Sequence, residues 1–316
     1  MAVSAAVLVL RALGIGDLLT AVPALRALHE AHPDERLVLA APRELKDLAE
    51  LVDAVDELLP TVGLGELTWP GPPPKLAVNL HGRGPESIRD LLATEPGTLL
   101  THRHPDLPDV PGLDWRADIH EVDRWCRLVE HAHLHCDRSA LRLPAPPGPS
   151  VAPGAVVVHP GAAYPSRRWP PERFAYVARE LARDGHRVVL TGSTGEHDLA
   201  RGIAERAGLP DDAVLAGRAG LAELASLVAG AALVLCGDTG IGHLATAFAT
   251  PSVLLFGPTP PRFWGPPPEA RQHRVLWAGD IGDPHGDCPD GGLLLLGEDR
   301  VLDAARTALA AQVAHG

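Results

Sequence analysis

Twice along the chain, short runs of β-branched and aliphatic residues alternate with stretches of helical periodicity, and this constrains the fold more than any other feature. In the first half VLVL (7–10) precedes a helical stretch from Leu18 to Ala31, followed by LVLAAP (37–42) and a second stretch from Glu44 to Val52. LAVNL (76–80) and TLL (98–100) read as further strands, and Ile119 to His133 as a helix. Strands separated by helices imply βαβ units and a parallel sheet. Residues 144–153, PAPPGPSVAP, hold five prolines in ten and continue neither a helix nor a central strand. Beyond this linker the alternation restarts with AVVVH (155–159), a helix from Pro171 to Asp184, RVVLTG (187–192), and a helix from Glu196 to Gly208. A short strand near Val214, a helix from Leu221 to Ala229, ALVLCG (232–237), a helix from Gly242 to Ala249, SVLLFG (252–257) and a last helix near Arg300 to Ala314 complete it. The expectation is an α/β chain of two Rossmann-like, doubly wound domains, 1–146 and 147–316. In open sheets ligands sit beyond the carboxyl ends of the strands, so a central cleft between the domains is the expected site.

Composition narrows the partners. A net charge of -12 over 316 residues argues against general nucleic-acid binding, which needs a basic surface to displace counterions. The only lysines are Lys46 and Lys75, so an anion held in the second half must be met by arginine, backbone N–H groups or histidine. Four cysteines without a C-x-x-C give neither a disulfide framework nor a zinc pattern. The apolar start, Ala2 to Leu10, lacks a basic segment and reads as a strand rather than a signal peptide. The longest apolar stretch, Leu227 to Cys236, falls well short of the ~20 residues needed to span a bilayer. A cytoplasmic protein is expected, with peripheral contact at the inner membrane face left open.

Three loops at strand ends carry the chemistry. The first, Arg11-Ala-Leu-Gly14-Ile-Gly16-Asp17, follows the first strand. Gly14 and Gly16 permit a tight turn, and Asp17 is either a helix cap or a carboxylate serving as general base. A dinucleotide fingerprint would need Gly or Ala where Leu19 stands and an acid ending the second strand, which instead ends Ala40-Ala41-Pro42. The second loop runs from His159 through Gly161 to Ser166-Arg167-Arg168-Trp169-Pro170, just ahead of a helix. A hydroxyl and paired arginines there make a local anion site with bidentate phosphate geometry, unless the arginines are merely solvated. The third, Cys236-Gly237-Asp238-Thr239-Gly240-Ile241-Gly242-His243, presents backbone N–H groups to a phosphate at a helix start. Asp238 is an awkward neighbour for a phosphate and is expected to orient the loop or meet sugar hydroxyls.

Together these loops resemble glycosyltransferase family 9, the ADP-heptose:lipopolysaccharide heptosyltransferase-like enzymes. The resemblance rests on R-A-L-G-I-G-D-L-L-T-A-V-P (11–23), H-P-G-A-x-x-P-S-R-R-W-P (159–170), G-D-T-G-I-G-H-L-A-T-A (237–247) and P-S-V-L-L-F-G-P-T (251–259). His120-Glu-Val-Asp-Arg124 also looks like the family's helix before the interdomain linker. The resemblance implies the GT-B fold, an N-terminal acceptor domain and a C-terminal domain for a nucleotide-diphospho-sugar, ADP-linked, acting as substrate with no cofactor. It implies inverting, metal-independent transfer of a heptose-like sugar to a glycan or glycolipid hydroxyl, as in lipopolysaccharide core synthesis. The sequence contains no D-x-D. Asp17 is then the catalytic base. Ser166, Arg167, Arg168, Glu223, Asp238, Thr239, Gly240 and His243 are expected on the donor, with Gly14, Gly16, His81, Arg83 and His120 on the acceptor side. Arg167 stands where the family commonly has Lys, and Glu223 is the nearest candidate for its ribose-binding acid.

Two rival readings share these residues: another GT-B sugar-nucleotide enzyme such as an epimerase, which would act on donor alone, and a non-catalytic sugar-nucleotide-binding protein. The cluster His131, His133, His135, Cys136 places only His131 and His135 on one helical face and is not expected to hold a metal. The loop Asp283-Pro-His285-Gly-Asp287-Cys288-Pro-Asp290 reads first as a turn.

Overall fold

The computed structural model describes residues 5–279 and 281–313, and the chain divides into two compact units after Leu143. Segment 144–153, where the prolines cluster, contains neither helix nor strand.

The first unit comprises β1 (Ala6–Leu10), α1 (Ile15–Ala31), β2 (Arg36–Ala41), α2 (Lys46–Ala49), β3 (Glu57–Pro60), β4 (Leu76–Asn79), α3 (Glu86–Leu92), β5 (Leu99–Leu100) and α4 (Glu121–His131). All pairings are parallel, in the order β3-β2-β1-β4-β5. Residues of β1 are buried on both faces, as expected for a central strand covered by helices. The order reverses between β1 and β4, where Leu10 pairs with Asn79, so the loops leaving these two strands emerge side by side. The stretch expected to be helical over 44–52 contains only a single 3-10 turn and the short α2.

The second unit comprises β6 (Val156–His159), α5 (Pro171–Arg183), β7 (Val188–Leu190), α6 (His197–Ala207), α7 (Leu221–Ala229), β8 (Leu233–Gly237), α8 (Gly240–Ala247), β9 (Ser252–Leu255), α9 (Pro261–Trp264), β10 (His273–Leu276), α10 (Gly291–Leu294) and α11 (Glu298–Val313). Its sheet runs β10-β9-β8-β6-β7, again all parallel. The strand expected near Val214 is a single parallel bridge to Leu190 at the sheet edge. Ala314, the expected end of the last helix, lies outside the described residues. A core of Val156, Val158, Phe174, Leu190, Leu235 and Leu255 joins the sheet to its helices. Trp169 is fully buried in it, donates from Nε1 to Leu296 O at 2.9 Å and meets the Phe174 ring edge-on. Here the switch lies between β6 and β8, which share the register His159 to Cys236.

Candidate functional site

At the first unit's switch point the dominant residue is Arg11, a guanidinium only 1% exposed at the end of β1. Its Nε donates to the backbone O of Asp17 at 2.9 Å, Nη1 donates to Leu80 O beyond β4, and the Trp125 ring lies 4.5 Å beneath it. Nη2 meets three acceptors: Asp17 Oδ1 at 3.3 Å, Thr20 Oγ1 at 3.3 Å and Glu121 Oε1 at 3.2 Å. Asp17 also accepts the N–H of Gly14 on Oδ2 at 3.2 Å, so it caps the first turn of α1 while part of its carboxylate stays open to solvent. Burial raises the Asp17 pKa above the usual carboxylate value, the Arg11 charge opposes this, and the Glu121 charge adds to it. Burial likewise works against the Glu121 anion, but Arg11 and Arg124 outweigh it and hold its pKa low.

The other residues expected on this side divide. Gly14 is the extended N-cap of α1, and Gly16 sits in its first turn. His81 stands near Arg11, and burial followed by that charge lowers its pKa to about 4, leaving a neutral ring whose buried Nδ1 has no partner among the described residues. Arg83 is exposed. His120 Nδ1 accepts the N–H of Val122 at 3.2 Å and caps α4. Glu121, the next residue, makes the contact with Arg11. Nothing in the local sequence distinguishes it, because its partner is 110 residues away.

In the second unit the loops after β6 and β8 lie against each other. A Cβ on Gly237 would stand 3.0 Å from Arg167 O, tighter than ordinary packing, so glycine lets the two backbones approach without a shift. A Cβ on Gly161 would overlap the Glu196 carboxylate, which itself accepts from Ser193 N and Oγ. Ser166 Oγ is buried and has no hydrogen-bond partner among the described residues, and Thr239 Oγ1, also buried, faces the Cys236 thiol, so the Ser166 hydroxyl in particular is available to a ligand. Arg167 donates from Nε to Pro284 O at 3.2 Å, packs near the Tyr164 ring and lowers the pKa of Asp238. Burial dominates at Asp238 and pushes its pKa up to about 6. Gly240 opens α8, whose N-cap is Thr239, and His243 meets the Trp264 ring edge-on at 5.9 Å. An open pocket is lined by Asp238, Thr239, His243, Phe256 and Trp264.

Two expected donor residues have structural partners. Arg168 turns back onto Ala162 O through Nε and Nη2, and Glu223, exposed, accepts from Gly220 N at 3.0 Å to cap α7. Conversely, the turn 283–290 belongs with this loop: Ser166 N donates to Gly286 O, Asp290 N donates to Ser166 O, and His285 packs edge-on against Tyr164. Among the described residues, no group of three or more His, Cys, Asp or Glu side chains is placed to hold a metal ion.

Two parallel sheets, each with its own switch point, define the GT-B fold class. The family model for glycosyltransferase family 9 (heptosyltransferase) matches residues 117–284, and the chain belongs to that family. It is 26% identical to lipopolysaccharide heptosyltransferase 2 of Salmonella typhimurium over 302 residues, covering 83% of this chain and 85% of that protein. The fold matches a family 9 glycosyl transferase from Veillonella parvula (TM-score 0.80, 21% identity, 98% of this chain and 99% of that one). It also matches the E. coli ADP-heptose lipopolysaccharide heptosyltransferase II (TM-score 0.77, 22% identity, 98% and 99%).

Proposed function

We propose that the chain transfers a heptose-like sugar from an ADP-linked nucleotide-diphospho-sugar to a glycan or glycolipid hydroxyl, by one inverting displacement without a metal ion. The observation that carries this reading is the constellation at the second switch point: Arg167, the buried Ser166 Oγ, which has no partner among the described residues, and the buried Thr239 Oγ1 at the N-cap of α8. A diphosphate offers the acceptor oxygens such groups need, and the start of α8 adds backbone N–H donors. As the anomeric bond breaks, negative charge grows on the departing diphosphate, and donors fixed in advance stabilise it by a few kcal/mol each. Residues 144–316 hold this donor side. The first unit receives the acceptor, with Asp17 removing its hydroxyl proton and neutral His81 beside it. Arg168 and Glu223 shape the donor loops, while Gly240 and His243 face the sugar diphosphate. A glycolipid acceptor would bring the enzyme to a membrane surface; no helix among the described residues is long and apolar enough to cross one.

Asp17→Asn tests the assignment in the presence of ADP-heptose and an acceptor. Transfer should fall by at least about a hundredfold, the low end of what general base catalysis contributes. ADP affinity, read by calorimetry, should stay within about twofold, since the substitution leaves the second unit untouched and is small on the scale of tenfold per 1.4 kcal/mol. Full transfer in this variant contradicts the role of Asp17.

A further inference from the structure

We propose that Glu121 is a positioning residue for Asp17: by taking a share of the Arg11 guanidinium it fixes the Asp17 carboxylate without letting Arg11 neutralise it. The catalytic meaning of this arrangement rests on Asp17 being the base, but the coupling between the two carboxylates does not.

Arg11 has little freedom to choose between them. Its Nε is committed to the Asp17 backbone and Nη1 to Leu80 O, and the Trp125 ring closes one face. On Nη2 two N–H groups are shared by Asp17 Oδ1, Glu121 Oε1 and Thr20 Oγ1, at 3.3, 3.2 and 3.3 Å. Glu121 is itself fixed from three sides: Arg11, Trp125 Nε1 donating to Oε1 at 3.0 Å and Arg124 Nε donating to Oε2 at 2.9 Å. Its carboxylate therefore cannot leave the guanidinium when Asp17 moves or changes charge.

Charge decides what this does. A carboxylate paired alone with a buried arginine holds its anionic form strongly and is a poor proton acceptor. A second carboxylate on the same guanidinium cancels part of that attraction and repels the first. The charged and titratable groups facing Asp17 are Arg11 from the end of β1, Glu121 from α4 with Arg124 behind it, and His81 from the loop after β4. With His81 neutral, two guanidiniums meet two carboxylates. Burial raises the proton affinity of Asp17 most and the Glu121 charge adds to it against Arg11, whereas at Glu121 burial is outweighed by Arg11 and Arg124, which lower it. Such a division separates a working base from its permanently charged support. Glu121 is thus an acid kept ionised so that its neighbour can accept a proton.

The test is a carbon-13 carboxyl NMR titration of the full chain, which needs no substrate. In Glu121→Gln the Asp17 midpoint should fall by about half a pH unit or more, since a like charge has been removed. Glu121→Asp keeps the charge and should leave the midpoint within about 0.3 unit of the parent. An unchanged Asp17 midpoint in folded E121Q, or the same fall in both variants, overturns the proposal. If E121Q does not fold, the reciprocal variant decides: coupling is mutual, so in Asp17→Asn the Glu121 midpoint must fall, and a fixed midpoint overturns the proposal. Transfer retained by Asp17→Asn alongside intact coupling would remove the base assignment while leaving the coupling standing.

Discussion

Asp238 shows how a carboxylate at odds with a phosphate could still line the proposed donor site. Burial pushes its pKa up to about 6, against an ordinary 3.8, so the native state holds this proton more tightly than the unfolded chain does. The sign follows from linkage: Asp238 costs nothing below about pH 4, where both states are protonated. The penalty grows between pH 4 and 6 and stays at its full value, at most about 3 kcal/mol, above that. Asp238→Asn should therefore match the parent in thermal stability near pH 4 and exceed it from pH 6.5 upward. A constant difference across a melting series from pH 4 to 8 would contradict this. The same proton bears on ligand binding, because an incoming diphosphate further favours the neutral acid. ADP affinity should rise as pH falls from 8 toward 6 in the parent and lose most of that dependence in Asp238→Asn, checked by calorimetry at each pH. At this scale Asp17, Ser166 and Arg167 stood out in the sequence as candidates, because each lies where a strand leads through a loop into a helix start. The sequence did not show Glu121, whose role exists only through Arg11, nor the capping of α7 by Glu223, since a carboxylate three residues into a helix looks the same whether it caps or binds.

Among the elements, the central strands β1, β6 and β8 were legible because burial on both faces writes an unbroken apolar run into the sequence. Two of the four edge strands were not: β3, ELLP, has exposed ends and a half-buried middle, and β10, HRVL, carries an arginine, so neither offers such a run, whereas the edge strands β5 and β7 were foreseen. The seven-residue α3 and the four-residue α9 and α10 are too short for periodicity to declare them. The turn 283–290 reads as a turn and is one. That it packs against Ser166 and Arg167 could not be seen, because the contact spans more than a hundred residues. Element ends are where the donor loops acquire their shape, and Gly237 tests this directly. A methyl group there meets Arg167 O at 3.0 Å, closer than ordinary packing allows. Gly237→Ala should move the 159–170 loop by a few tenths of an ångström and weaken ADP binding by roughly tenfold, a cost of about 1.4 kcal/mol. Hydrogen exchange at Ser166 and Arg167 should rise in the same variant, and unchanged exchange with unchanged affinity would show the contact to be relaxed without consequence.

For the whole molecule, the repeated βαβ pattern on either side of a proline-rich segment was enough to foresee two parallel sheets. Each unit has its own switch point, β1/β4 in one and β6/β8 in the other, where the candidate loops emerge. If the second unit holds the nucleotide, saturating ADP should raise the melting temperature of the protein. At 100 times the dissociation constant the native state gains about 2.7 kcal/mol, and UDP, GDP and dTDP should each give smaller shifts. Equal shifts with all four would show that the site reads the diphosphate and ignores the base. The first unit has a different dependence. Arg11 draws on β1, α1, the end of β4 and α4, so the last of its partners is made only after more than a hundred further residues have been added to the chain. A growing polypeptide that has reached β5 has all the strands of the sheet but leaves a cation at its centre without its second counter-charge. The sheet of the amino-terminal unit is thus synthesised before α4 supplies the second counter-charge of its buried cation. Any split or graft of the protein that places its boundary between β5 and α4 would strand that charge.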